Sequence, residues 1–85
     1  MLNGCQIRAA RALLRWSAQD LAKRAGVGIQ TIKRFEAFDG LPPSRSSTLL
    51  DVQQALQAAG VEFTEDDGIQ GPGVRFAHST KRDQP

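Results

Sequence analysis

The 85 residues predict a mostly α fold: a bundle of four short helices containing a helix-turn-helix, followed by a short C-terminal β-hairpin. Three observations predict it. Apolar residues recur at helical spacing in four stretches separated by turn residues. The second and third stretches stand only three residues apart. After Gly60 the apolar period falls from about 3.6 to about 2, the change from a helix to a half-buried strand. A chain of this length makes one domain around a modest core.

The first helix is expected from about Gln6 to Arg15, with Ile7, Ala10 and Leu14 on one face, Leu13 beside them, and Arg8 and Arg15 pointing outward. Ser17 then stands as an N-cap, and Asp20 follows where a capping box places its acid. The second helix accordingly runs from Ala18 to Ala25, with Leu21, Ala22 and Ala25 inward, and Gly26 suits a left-handed C-cap. Gly26-Val27-Gly28 is the turn. The third helix spans Ile29 to Phe38 and buries Ile32 and Phe35. Two short helices joined by so brief a glycine-containing turn form a helix-turn-helix.

Asp39-Gly40-Leu41-Pro42-Pro43-Ser44 reads as a loop. Ser46 or Ser47 caps a fourth helix that reaches Ala59, with Leu49, Val52, Leu56 and Ala59 in one stripe, and Gly60 ends it. Val61-Glu62-Phe63-Thr64 and Val74-Arg75-Phe76 alternate apolar with polar, which gives a hairpin whose second strand starts near Gly73. The expected organisation is a helix-turn-helix unit over 1–60, the hairpin over 61–77 and a disordered tail over 78–85.

Several function classes fail on inventory. Cys5 is the only cysteine, so no disulfide framework is expected; a half-buried thiol in a reducing cytoplasm is. Met1 to Cys5 lacks a secretory pattern, and no apolar stretch approaches the roughly 18 residues that span a bilayer, so no membrane partner is expected. The one histidine, His78, falls in the expected tail, no Cys/His cluster offers a metal site, and the glycines form no phosphate loop. Neither enzyme activity, metal nor cofactor is expected. Trp16, Phe35 and Phe38 sit at helical spacing and suit the core.

Charge is more informative when divided by region than as a total. The net charge is +2, but residues 1–45 carry eight bases against three acids, while residues 46–77 carry Arg75 alone against five acids. An N-terminal half this basic suits a polyanion. The outer face of the third helix carries the donors that a major groove requires. Gln30 can pair with adenine, Arg34 or Lys33 with guanine, Thr31 with a base or a phosphate, and Ile29 can touch a thymine methyl. Ser17, Ala18 and Gln19 open the second helix, where free backbone N–H groups favour a phosphate, and Ser44 with Arg45 could grip the next one. The bland reading of the same residues is an amphipathic helix whose polar face meets only water. Arg11 and Glu36 occupy half-buried places of opposite charge and are expected to pair, clamping the first helix to the third and offering Arg11 to a phosphate.

Gln6 to Leu14, then Ser17-Ala18-Gln19-Asp20-Leu21-Ala22, then Gly26 to Ala37 together resemble the Xre/Cro/C1 family of phage and bacterial regulators. Leu21-Ala22, Gly26-Val27, Thr31-Ile32 and Glu36 stand at the family's hallmark places, and the resemblance covers about residues 4–59. It implies a lambda-repressor-like bundle that binds an inverted-repeat operator in double-stranded DNA as a homodimer and regulates transcription, as a repressor or autoregulator. By position, the groove-facing residues it implies are Ile29, Gln30, Thr31, Lys33 and Arg34, and the Arg11–Glu36 bridge has a family counterpart. Two positions depart from the pattern: Ala18 stands where the family commonly has Gln, and Gly28 where it often has Ser or Thr.

Val61, Phe63, Val74 and Phe76 are the expected dimerisation residues, since the hairpin offers strand edges and apolar side chains. The competing reading is that they fold back to cover the core. The competing function is a protein-interaction module, an antitoxin or antiactivator that keeps the helix-turn-helix and docks a protein partner on the acidic C-terminal half.

Overall fold

A computed structural model describes residues 2–37 and 46–78. Within them four helices precede a two-stranded antiparallel sheet: α1 (Gly4–Leu14), α2 (Ala18–Ala25), α3 (Ile29–Glu36), α4 (Ser46–Ala58), β1 (Val61–Thr64) and β2 (Gly73–Phe76). The mostly α fold with a terminal hairpin is the one the sequence predicts.

Each helix end has an identifiable cause. α1 starts two residues earlier than the apolar period indicates, because Asn3 caps it. The Asn3 side chain accepts the Gln6 N–H at 2.9 Å, and the Gln6 side chain accepts the Asn3 N–H at 3.1 Å. This is a capping box made of Asn and Gln. At the other end Arg15, expected inside the helix, adopts a left-handed φ of 58° and closes it. That conformation costs a non-glycine residue about 1 kcal/mol. It turns the chain so that the Trp16 N–H returns to the Arg11 carbonyl at 2.9 Å.

α2 follows the sequence closely. Ser17 Oγ accepts the Asp20 N–H at 3.0 Å, and the Asp20 carboxylate accepts the Ser17 N–H at 2.9 Å. That backbone hydrogen bond holds the Asp20 carboxyl below its ordinary pKa. Its contribution to the cap is therefore present above the ordinary carboxylate pKa and fades as pH falls through the lowered value. Gly26 ends α2 at φ 72°, where its missing Cβ matters. α3 stops at Glu36, with Ala37 as its C-cap, which is shorter than expected. Phe38 and the loop through Arg45 lie outside the described residues, as does all of the expected tail beyond His78.

The core gathers one stripe from every helix: Ile7 and Ala10, Leu21 and Ala22, Ile32 and Phe35, and Leu49, Val52 and Leu56, with Leu2 and Val61 added at the ends. Leu14 is half-buried and Leu13 is exposed, so α1 uses a narrower face than its sequence suggests. Trp16 packs at the core margin, with the Arg24 guanidinium 4.7 Å from its ring centroid. Cys5 is exposed, not half-buried as expected, because on α1 it lies away from the face that carries Ile7 and Ala10.

The hairpin is not a detached appendage. Val61 faces Phe76 and Phe63 faces Val74 across the ladder, so these four side chains share one face. That face turns inward: Val61 is 2% exposed, and Phe63 and Val74 pack against the core. The opposite face carries the cross-strand pair of Arg75 and Glu62 at 2.6 Å. Gln6 anchors the far end of the hairpin. Its buried side chain donates to the carbonyls of Thr64 at 3.2 Å and Gly73 at 3.0 Å while its oxygen serves the Asn3 cap. Gln6→Ala is expected to cost about 2 kcal/mol, since each hydrogen bond contributes about 1 kcal/mol and two backbone acceptors lose their donor. Urea unfolding would measure the loss, and hydrogen exchange would show β1 and β2 opening before α2. A change below about 0.5 kcal/mol would mean that Val61 alone seats the hairpin.

Candidate nucleic-acid interface

The chain turns between α2 and α3 through Val27, whose N–H reaches the Ala22 carbonyl at 3.0 Å, and Gly28, which opens α3. Gly28 contributes no side-chain cap; its carbonyl accepts from Thr31 at 3.1 Å and from Ile32 at 3.3 Å. Ile32 and Phe35 sink into the core and fix the rotation of the helix. Gln30, Lys33 and Arg34 then fall at i, i+3 and i+4 and form one exposed stripe. Three long polar side chains therefore project together from an eight-residue helix. Thr31 is half-buried beside the stripe. Ile29 is half-buried and packs against the core, so of the five residues expected to face a groove it is the one most committed to the scaffold.

A two-arginine clamp sets the pose of α3 against α1. Arg11 Nε donates to Glu36 Oε2 at 2.6 Å, and its Nη2 donates to Oε1 at 2.8 Å, a bidentate pair. Its Nη1 donates to the Trp16 carbonyl at 3.0 Å. Hydrogen bonding to Glu36 raises the Arg11 pKa above its ordinary value. The guanidinium is largely enclosed, with 22% side-chain exposure for Arg11 and 11% for Glu36. Arg8, expected to point outward, instead donates through Nη1 to the Glu36 carbonyl and through Nη2 to Cys5 Sγ at 3.2 Å. Both arginines thus seize the C-terminal end of α3, one through the Glu36 side chain and one through its backbone.

These contacts revise the charge reading. Arg8 and Arg11 hold α3, and Arg24 lies over Trp16, so part of the basic excess is structural. Arg15, Lys23, Lys33 and Arg34 are exposed. Arg8 and Arg24 carried no sequence signal for these roles, because an outward helical position says nothing about where a long side chain bends back.

At the start of α2, Ser17 and Gln19 are exposed and Ala18 is half-buried. The first amides of a helix have no partner within it. The Asp20 carboxylate takes the Ser17 amide, so an approaching phosphate would meet the Ala18 and Gln19 amides beside a negative charge. Ser44 and Arg45, the other expected backbone contacts, lie outside the described residues.

Of the expected dimerisation residues, Val61 is a core residue and its side chain is closed to a partner. Phe63 and Val74 are half-buried against the bundle, and Phe76 is 39% exposed. Among the described residues β1 and β2 pair only with each other, so each strand has one edge without a strand partner. Among the described residues no helix is long and apolar enough to cross a membrane, and no three His, Cys, Asp or Glu side chains are grouped to hold a metal ion. Comparison of the chain with protein-family models and with curated proteins finds no match.

Proposed function

We propose that the chain is a sequence-specific double-stranded DNA-binding regulator of transcription, of the Xre/Cro/C1 type, acting in the cytoplasm as a homodimer on an inverted-repeat operator. The observation that carries the reading is the exposed stripe of Gln30, Lys33 and Arg34 on α3, held in a fixed pose by the buried Ile32 and Phe35 and by the Arg11–Glu36 pair. Gln reads adenine and Arg reads guanine by paired hydrogen bonds, and a helix of this diameter fits the major groove. Lys33 serves a second base or a phosphate. Thr31 lies at the edge of the contact, and Ile29 acts chiefly as a scaffold residue. The Ala18 and Gln19 amides meet a phosphate at the start of α2.

One α3 contacts only a few base pairs, so useful affinity calls for two half-sites. Pairing of hairpin edges across a two-fold axis, with Phe76 beside the seam, is the dimer contact this surface suits best. Selection of binding sites from randomised duplex DNA tests the reading. It should enrich pseudo-palindromes with half-site centres about 10 base pairs apart, or a multiple of that. Absence of any enriched sequence would favour the protein-interaction reading, with the partner on the acidic residues of the hairpin.

A further inference from the structure

Most of the described arginines are engaged within the fold. Arg8 and Arg11 hold Glu36, Arg24 lies over Trp16, and Arg75 pairs with Glu62. Arg34 projects from the stripe on α3, which leaves Arg15. Its side chain is exposed and makes no hydrogen bond, ion pair or ring contact among the described residues. The backbone at this position favours a different residue. With φ at 58°, Arg15 is the only non-glycine residue in the left-handed region among the described residues, and glycine would sit there without strain. What closes α1 is the Arg15 backbone, whose N–H reaches the Ala12 carbonyl at 3.2 Å. No contact in the fold calls for an arginine.

Strain kept at an exposed, charged and unpaired residue points to a use outside the fold. The placement of Arg15 says which. The Trp16 N–H returns to the Arg11 carbonyl at 2.9 Å, and the Trp16 carbonyl accepts from the same Arg11 side chain that grips Glu36 at the end of α3. The junction from α1 to α2 is therefore tied to the pose of α3. Arg15 stands three residues before Ala18, so their Cα atoms are no more than about 11 Å apart. We propose that Arg15 contacts a DNA backbone phosphate at the start of α2, an inference that rests on the DNA-binding reading. Its guanidinium forks onto the phosphate oxygens with two N–H groups. Its charge also offsets the Asp20 carboxylate, which otherwise stands beside the Ala18 and Gln19 amides that the phosphate approaches. A phosphate is the same at every step of the duplex, so the contact adds affinity without sequence preference.

The test uses the full chain, with fluorescence anisotropy on a selected duplex and on a mixed-sequence duplex across a salt series. Arg15→Gly should bind both duplexes about fivefold more weakly per subunit, and its log–log salt slope should be shallower by about 1 per subunit. Its Tm should stay within about 5 °C of wild type, so that the loss is one of contact and not of fold. Arg15→Lys keeps the charge and should stay near wild type in slope. Wild-type affinity and slope in Arg15→Gly would overturn the proposal and leave the DNA-binding reading standing. A loss confined to the selected duplex would overturn it in favour of a base contact, and Arg15→Lys as weak as Arg15→Gly would overturn the role of the charge. Failure of the wild-type chain to bind either duplex would end both this proposal and the reading beneath it.

Discussion

Glu36→Ala is expected to lower the unfolding free energy by about 3 kcal/mol, the range for removing one partner of an enclosed ion pair after allowance for its partial exposure. The substitution removes both carboxylate acceptors of Arg11 and leaves its guanidinium with only the Trp16 carbonyl. For a domain of this size the loss corresponds to a fall in Tm of about 10–20 °C. Thermal unfolding followed by circular dichroism would measure it. Glu36→Gln keeps one side-chain acceptor for Arg11, so it should cost about half as much, and the Arg8 contact to the Glu36 backbone survives in both variants. A wild-type Tm for Glu36→Ala would mean that α3 is positioned by Ile32 and Phe35 alone. The functional consequence follows from position: the clamp lies at the C-terminal end of α3, so loosening it lets the Gln30–Arg34 stripe swing relative to α2.

The second large effect falls on DNA. The double variant Q30A/R34A should lose at least about thirtyfold in operator affinity, since each base contact is worth about 1–3 kcal/mol. Both side chains are exposed, so stability should stay within about 0.5 kcal/mol of wild type. The pair of measurements separates a lost contact from a lost fold. Lys33→Ala, by contrast, should weaken all sequences alike if Lys33 meets a phosphate. Normal operator affinity in Q30A/R34A would remove α3 from the groove.

The helix-turn-helix was legible in the sequence because its determinants are local. Ser17, Asp20 and Gly26 act within a few residues of themselves, and the bounds of α2 follow from them. The two strands were equally legible, since alternation over four residues admits one inward face; their register was not, because alternation alone does not fix the pairing across a long loop. The Arg11–Glu36 pair could be read from two opposite charges on inward positions of different helices. The parts that escaped depend on long side chains or on distant chain segments. Nothing near Gln6 announces that its amide will hold two carbonyls more than 55 residues away. Arg8 occupies an outward position and still reaches the end of α3. The four hairpin hydrophobes were singled out from alternation, but alternation cannot say whether their face meets the chain's own core or a partner. Here Val61 meets the core.

The most direct test of the central claim is fluorescence anisotropy of the intact chain on a selected duplex and on its shuffled counterpart, across a series of salt concentrations. The account predicts sequence-selective binding, at least about a thousandfold tighter than to shuffled DNA. It also predicts a log–log salt slope of roughly −5, as for two subunits that each meet about three phosphates. Equal, weak binding to both duplexes, with any salt slope, would contradict it.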